Sequence, residues 1–380
     1  MPASKCRFTS KLFLADNFED NVHLGRRSVV AELTTLTRRN IMKFGDIPLD
    51  EAEGAVLGHS VKIGKHKTAK GRVLDADDLD RFRAAGLERI VGARLEQSDV
   101  PENIAAGAIG RGLRNDSLRV ADASTGRVNV FARFDGLCLL DVDAIHEINA
   151  VCEDITIATL PPYRMVYEDE LVVTIKIIPF AAAEVNLSRV SQIIGDSGAP
   201  IRVQAFQPRT VGVVFSELPT VKFSALEKTI RVLEARLQRL GGTIGEKAVC
   251  RHDAANVAET MQAQLKSYCD LLLLFGASAI VDRGDVIPQA IVEAGGEVTY
   301  FGMPVEPGNM LLLGRVDEVD VVGLPGCARS PALNGFDWVL QRLFARLPVS
   351  GAGIAGMGVG GLLKEPPRRL RQRRSLSGDT

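Results

Sequence analysis

The sequence lacks several features that particular functional classes require. None of its six cysteines forms a C-x-x-C pair, and its five histidines are dispersed, so no zinc site is expected. Aromatic residues make up 5% of the chain and the formal net charge is -1, which argues against a nucleic-acid-binding surface. The longest largely apolar run, residues 271–281, is far shorter than the ~20 residues of a membrane-spanning helix. Because the first residues also lack the apolar core of a secretory signal, a cytoplasmic protein is expected.

The two ends of the chain differ from its body. Residues 1–41 show no sustained hydrophobic period, and an ordered pattern starts only after Met42. We therefore expect Met42 to be the natural start, with residues 1–41 as a disordered or over-called extension. Residues 348–380 form a Gly-rich and basic tail, and its last part, from Lys364 onward, is predicted to be disordered. A solvated end is favoured there over a tail that binds nucleic acid or a partner.

Between these ends the sequence predicts two blocks. Residues 42–201 contain short β-branched runs separated by turn residues, with few helical patterns, which is typical of a mixed α+β block rich in antiparallel sheet. Residues 203–347 alternate strand and helix patterns. Residues 224–240 place leucine and isoleucine on one helix face, and residues 271–275 read as a strand buried on both faces. The second block is therefore predicted to be a mostly parallel α/β sheet domain with three α/β/α layers.

Ligands of such sheets bind beyond the carboxyl ends of the strands, and the loop after residues 271–275 is unusual there. Its small residues would let a ligand approach the backbone, and its carboxylates, Asp282 and Asp285, are suited to a magnesium ion. The alternative is structural: Asp285 caps the helix that begins at Val286, and Asp282 pairs with Arg283.

Other connections also carry candidate residues. Pro307-Gly308-Asn309 favours a tight turn. Pro325-Gly326, followed by Arg329 and Ser330, joins a strand to a helix, where amides, a guanidinium and a hydroxyl could bind a phosphate or a pterin. His252-Asp253 suggests a general base, although Asp253 as the N-cap of the following helix is favoured.

Taken in order along the chain, these loops resemble the molybdopterin-binding domain shared by molybdopterin molybdotransferases and adenylyltransferases. The resemblance covers residues 211–345 and rests on Asp253, residues 271–285, Gly295-Gly-Glu-Val, Glu306-Pro-Gly-Asn and Gly323-Leu-Pro-Gly. The first block is similar to the N-terminal part of molybdotransferase-like proteins. Gly276-Ala-Ser-Ala and Asn334-Gly-Phe-Asp-Trp resemble a bacterial branch in which a nucleotidyltransferase-like domain often follows, and no such domain is expected within these 380 residues.

The resemblance implies roles for individual residues. Gly276, Ala277, Ser278 and Ala279 would line the pterin, Asp282 and Asp285 would lie beside magnesium or molybdate, and Asp253 would face the same cleft. The turns at Pro307-Gly308 and Pro325-Gly326 would close that cleft. The chain also departs from the family: Ala277 replaces a glycine, Asn309 replaces a lysine, and the loop from Phe215 lacks the usual acid.

The sequence leaves more than one function open. The first hypothesis is a magnesium-dependent transferase of molybdenum cofactor biosynthesis, which would insert molybdate into molybdopterin or transfer a nucleotidyl group. The departures favour a second hypothesis, a non-catalytic molybdopterin carrier that serves a separate nucleotidyltransferase. A third is a nicotinamide-nucleotide pyrophosphatase on the same fold. The oligomeric state, including a homo-oligomer, stays open.

Overall fold

The structure, a computed structural model, describes residues 42–219, 223–267 and 269–363, without the side chains of residues 223–225. The extension of residues 1–41 and the tail from Lys364 lie outside the described residues. Among those that are described, no helix combines the length and apolar character needed to cross a membrane.

The first block consists of a small N-terminal lobe and a larger one. The small lobe packs a helix against a short antiparallel sheet around Phe82, which is fully buried. Its elements are β1 (Lys43–Pro48), β2 (Val56–Leu57), β3 (Val61–Ile63), β4 (His66–Thr68), α1 (Ala76–Ala84) and β5 (Arg89–Arg94).

The larger lobe places helices against antiparallel sheets, as the β-branched runs predict. The central strand pair alternates buried valine and isoleucine with outward polar residues, which directs one face into the core. The elements are β6 (Asp99–Pro101), α2 (Glu102–Gly112), β7 (Leu118–Val120), β8 (Arg127–Ala132), β9 (Gly136–Leu140), α3 (Val142–Ala150), β10 (Ile155–Thr159), β11 (Met165–Val166), β12 (Leu171–Ile177), β13 (Ala181–Ala183), α4 (Glu184–Ser197) and β14 (Ile201–Ala205). The predicted α+β character of this block is confirmed.

The C-terminal domain is built on one six-stranded sheet. Its elements are β15 (Thr210–Glu217), α5 (Phe223–Gln238), β16 (Thr243–Arg251), α6 (Ala254–Lys266), β17 (Leu271–Phe275), α7 (Val286–Glu293), β18 (Glu297–Phe301), β19 (Leu312–Val316), β20 (Val319–Gly323), α8 (Gly335–Phe344) and α9 (Gly351–Ala355). The strand order is β16-β15-β17-β20-β19-β18. The first four strands are parallel, and β19 is antiparallel to both of its neighbours. The prediction of a mostly parallel α/β sheet is confirmed.

The central strand β17 is buried on both faces, as its unbroken apolar run predicts. Leu271, Leu273 and Phe275 join a core with residues of α5 and α8, whereas Leu272 and Leu274 join a core with residues of α6 and α7. Helices on both faces therefore give the three expected layers.

Two details differ from the sequence prediction. The apolar residues 310–313 predict a strand from the sequence, but the strand begins only at Leu312, because Leu311 still belongs to the preceding turn and donates its amide to the carbonyl of Gly308. Residues 350–363, which the sequence places in a Gly-rich tail, contain α9 and bury Ile354 and Met357 in the core of the domain. The same segment pairs with Glu306 through the amide of Leu363 and the carbonyl of Gly361.

Candidate functional site

The predicted loops meet at one edge of the six-stranded sheet. The four parallel strands all end there, and β18 ends and β19 begins at the same edge because β19 runs in the opposite direction. The β17 loop (residues 276–285), the β18 loop (residues 302–311) and the β20 loop (residues 324–334) follow these strand ends. The edge is where ligands bind in open α/β sheets.

The β17 loop begins with a close backbone turn. Gly276 is buried, and a Cβ atom there would lie 2.8 Å from the carbonyl oxygen of Ser278, so a side chain would force the loop open. Ser278 and Ala279 are exposed. Within the described part of the chain, no hydrogen bond engages the backbone amides of residues 277–280. Four successive free donors at a strand-to-helix turn are suited to the oxygens of an anion.

Asp285 acts as the N-cap of α7. Its Oδ1 accepts from the amide of Val286 at 2.7 Å and its Oδ2 accepts from the amide of Val281 at 3.2 Å. Both oxygens therefore hold the loop against the first turn of the helix, as the structural alternative predicts.

Asp282 is exposed and makes a local turn. Its Oδ1 accepts from the amide of Gly284 at 2.7 Å, whereas Arg283 donates to the carbonyl of Val298 and makes no ion pair with Asp282 in the described region. No cluster of three or more His, Cys, Asp or Glu residues suited to a metal ion occurs among the described residues. The carboxylates of Asp282 and Asp285 fit only a cation that takes one or two protein ligands and keeps its waters, as Mg²⁺ does.

Asp253 caps α6, as favoured from the sequence. Its Oδ1 accepts from the amide of Asn256 at 3.0 Å, and the side-chain amide of Asn256 contacts both oxygens. These hydrogen bonds lower the pKa of Asp253 below its usual value, and the bond from the side-chain amide of Asn256 has the largest effect. Asp253 is therefore an ionised capping group beside the cleft.

His252 lies between two serines, Ser216 and Ser278, an arrangement that the sequence motifs do not predict. Its Nδ1 lies 2.8 Å from the Oγ of Ser216, and its Nε2 lies 3.5 Å from the Oγ of Ser278. Ser216 is 4% exposed and its Oγ also lies 3.3 Å from the carbonyl oxygen of Phe275. The stacked rings of Phe215 and Phe275, with centroids 4.9 Å apart, fix the ends of the two neighbouring strands. The register of the parallel pair β15 and β16 could have found it, because Ser216 lies near the end of β15 and His252 directly follows β16.

The β20 loop brings Arg329 onto the β17 loop. Its Nη2 donates to the carbonyl of Gly276 at 3.0 Å, and its guanidinium lies 5.2 Å from the ring centroid of Phe275. Partial burial lowers the pKa of Arg329, although a guanidinium stays protonated in proteins. The loop thus places a fixed positive charge beside the free amides.

A buried arginine of α5 holds the β20 loop in shape. Arg236 is 7% exposed and donates to the carbonyls of Ala328, Ser330 and Ala332. Its Nε also donates to Asp337, at 2.7 Å, in the first turn of α8. The side chain of Ser330, predicted to bind a ligand, makes a hydrogen bond within the loop, where its Oγ accepts from the amide of Ala332. Pro325 is buried, whereas Gly326 and Ser330 are exposed.

The predicted residues of the β18 loop pack mainly against α8. The carbonyl of Pro307 accepts from the amide of Gly335 at 2.8 Å. Gly308 has φ +136°, and a Cβ atom there would lie 2.6 Å from the nitrogen of Gly335, which explains the glycine. Asn309 is exposed and its carbonyl accepts from Met303. Among the described residues, no backbone hydrogen bond links this turn directly to the β17 loop.

Two cavities lie elsewhere in the molecule. One of about 450 Å³ is lined by Tyr163 and Arg342, and one of about 530 Å³ is lined by Arg209 and Arg346. None of the residues predicted from the sequence lines either cavity. The predicted residues instead belong to the segments that follow the strands at the carboxyl edge, where some are exposed and others, such as Gly276 and Pro325, are buried.

Comparison with known families gives a match over most of the C-terminal domain. Residues 224–345 match a family model described as "Probable molybdopterin binding domain". Those residues are therefore similar to the molybdopterin-binding domain family. The match spans the β17, β18 and β20 loops and confirms the resemblance drawn from their motifs. Residues 46–94, the small N-terminal lobe, match a family described as a domain of unknown function.

Similarity to individual proteins is remote. No curated protein matches the chain. The molybdopterin biosynthesis MoeA protein from Pyrococcus horikosii is 12% identical, with 83% of this chain and 79% of that chain covered and a TM-score of 0.28. A protein from Corynebacterium diphtheriae described as a molybdenum cofactor biosynthesis protein is 13% identical, with 39% of this chain and 99% of that chain covered and a TM-score of 0.25. With TM-scores this low, neither match says more about this chain.

Proposed function

We propose that this protein binds molybdopterin at the carboxyl edge of its C-terminal sheet and acts as a magnesium-dependent molybdopterin transferase. The observation that carries the proposal is the row of free amides at residues 277–280 beside the guanidinium of Arg329. Molybdopterin carries a phosphate, whose oxygens take hydrogen bonds from both kinds of donor. The family of residues 224–345 supports the pterin as the ligand.

The reaction in this proposal is the insertion of molybdate or the transfer of a nucleotidyl group. Bound magnesium would supply positive charge to the phosphate or molybdate oxygens. Asp282 and Asp285 would hold it, while the free amides and Arg329 orient the anionic end of the pterin. Asp285 would do so while it caps α7, since a carboxylate oxygen accepts more than one partner.

A carrier that holds molybdopterin for a separate nucleotidyltransferase is the second candidate. It is favoured by one specific observation: both oxygens of Asp285 already accept backbone hydrogen bonds, which is what capping alone requires. The exposed Asn309, where the family usually has lysine, favours it further.

One experiment separates the two candidates. The full chain is incubated with adenylylated molybdopterin, molybdate and Mg²⁺, and the products are analysed beside Asp282→Asn and the matched control Asp317→Asn in the exposed β19–β20 turn. We expect turnover in the wild type and the control, and loss of magnesium-dependent turnover in Asp282→Asn, because a neutral amide is a poor ligand for a hard cation. Binding of the pterin without turnover, equal in all three proteins and independent of magnesium, would overturn the transferase in favour of the carrier.

A further inference from the structure

The imidazole of His252 connects a buried hydroxyl to an exposed one. Ser216 lies on its Nδ1 side at 2.8 Å and Ser278 on its Nε2 side at 3.5 Å. His252 itself is half-buried at the end of β16, with its amide bonded to the carbonyl of Glu217. The ring therefore bridges the interior of the domain and the loop that carries the free amides.

The surroundings of Ser216 favour one tautomer of His252. The Ser216 hydroxyl has one proton, and its Oγ also lies 3.3 Å from the carbonyl oxygen of Phe275, which can only accept. If Ser216 donates to that carbonyl, its oxygen is left to accept the proton of Nδ1. The lone pair of the neutral ring then lies on Nε2, on the side of Ser278.

Ser278 lies in the loop whose free amides are proposed to bind a phosphate. It is exposed, it belongs to the stretch of free amides, and it follows Gly276, whose carbonyl is held by Arg329. A hydroxyl next to a base, with amide donors and a fixed positive charge nearby, has the parts that nucleophilic attack on phosphorus needs. The separation of 3.5 Å is of the length that catalytic hydrogen bonds show in ligand-free proteins.

We propose that Ser216, His252 and Ser278 form a hydrogen-bonded relay in which His252 takes the proton of Ser278 and makes it a nucleophile toward a phosphoanhydride bound in this cleft. His252 is the general base, Ser278 is the nucleophile, and Ser216 is a positioning residue that sets the tautomer. The identity of the substrate as a nucleotidylated pterin rests on the proposed function, whereas the relay itself does not.

The chemistry balances with water as the only other reactant. The Ser278 hydroxyl gives its proton to Nε2 of His252 as its Oγ bonds to phosphorus, the phosphoanhydride bond breaks, and the leaving phosphate oxygen takes the proton from His252. Water then gives a proton to Nε2 and its oxygen bonds to phosphorus. The bond from phosphorus to Oγ breaks, and Ser278 recovers its proton from His252.

The relay is tested without any pterin by labelling the full chain with an alkyl phosphonofluoridate and mapping the adduct by mass spectrometry. We expect an adduct on Ser278 in the wild type and in the matched control Ser267→Ala, whose serine is exposed at the end of α6. His252→Gln should slow labelling about 10²–10⁴-fold, the usual contribution of a general base. Absence of an adduct on Ser278, or a rate unchanged in a folded His252→Gln protein, would overturn the relay.

The role of Ser216 has a separate readout in the ¹⁵N NMR signals of the His252 ring. We expect the neutral ring to carry its proton on Nδ1 in the wild type and to shift toward the other tautomer in Ser216→Ala. A ring with its proton on Nε2 in the wild type would overturn the relay even if variants failed to fold. Labelling of Ser278 without binding of molybdopterin would sink the proposed function alone, and pterin turnover without labelling would sink the relay alone.

Discussion

The β17 loop and the β20 loop lie at the same edge of one sheet but satisfy their polar groups in different ways. The β20 loop has three carbonyls bound by the buried Arg236, and the amides of Ala328, Ser330 and Ala332 bond within the loop. The β17 loop leaves the amides of residues 277–280 without a partner among the described residues. A backbone donor without a protein partner takes water or a ligand. The comparison indicates that the β20 loop contributes mainly to stability and the β17 loop mainly to ligand binding.

The strand that precedes the β17 loop should be the most sensitive position. We expect Leu273→Asp to prevent soluble folding, because Leu273 is fully buried and an unpaired buried charge costs several kcal/mol. That cost is comparable with a total stability of roughly 5–15 kcal/mol. The check is the soluble yield and thermal melting, and a cooperatively melting Leu273→Asp protein would refute the placement of β17.

Arg236 should matter for stability more than any residue of the β17 loop. We expect Arg236→Ala to lower the free energy of unfolding by roughly 3–5 kcal/mol, because it leaves Asp337 and several carbonyls without their buried donor. Arg239→Ala, at an exposed arginine in the turn directly after the same helix, is the matched control and should change it by less than about 0.5 kcal/mol. The measurement is a denaturant titration of both variants. Equal changes in their free energy of unfolding would contradict the claim that the β20 loop contributes mainly to stability.

Arg329 joins the two loops, so its removal should separate binding from stability. We expect Arg329→Gln to weaken the affinity for molybdopterin by about 10–100-fold, since a hydrogen bond to a charged group contributes about 1.5–3 kcal/mol. Arg315→Gln, at the opposite end of the strands, serves as the control for a general charge effect. Titration of pterin against both variants is the measurement, and equal affinities would remove Arg329 from the site.

The smallest expected effect lies at the N-terminus of α8. Asn334 is fully buried and forms a capping box with Asp337. We expect Asn334→Ala to lower the free energy of unfolding by about 1 kcal/mol, the usual value for such a cap. Ser278→Ala, in the β17 loop, should change it by less than about 0.5 kcal/mol because Ser278 is exposed. Chemical denaturation is the measurement, and a larger loss of unfolding free energy in Ser278→Ala than in Asn334→Ala would contradict the comparison between the loops.

Much of the C-terminal fold could be predicted because its signals are local. The unbroken apolar run of β17 reflects burial on both faces of the strand. The helical spacing of apolar residues in α5 reflects burial on one face of the helix. The caps at Asp253 and Asp285 were also predictable, since a capping carboxylate bonds to amides only a few residues away.

The missing parts of the site depend on contacts between distant segments. Ser216 and His252 are separated by a whole helix and strand, and only the register of β15 and β16 brings them together. The role of Arg236 is hidden for the same reason, because its partners lie about a hundred residues further along the chain. The position of the β18 turn depends on its packing against Gly335, which no local pattern encodes.

Hydrogen–deuterium exchange of the full chain with and without molybdopterin tests the central claim most directly. Free amides exchange quickly, and an amide bonded to a ligand exchanges slowly. The account predicts that the pterin slows exchange in peptides that contain residues 277–280 and leaves the already bonded amides of Ala328, Ser330 and Ala332 almost unchanged. Protection confined to other regions, such as the cavities lined by Arg342 or Arg209, with unchanged exchange at residues 277–280, would contradict it.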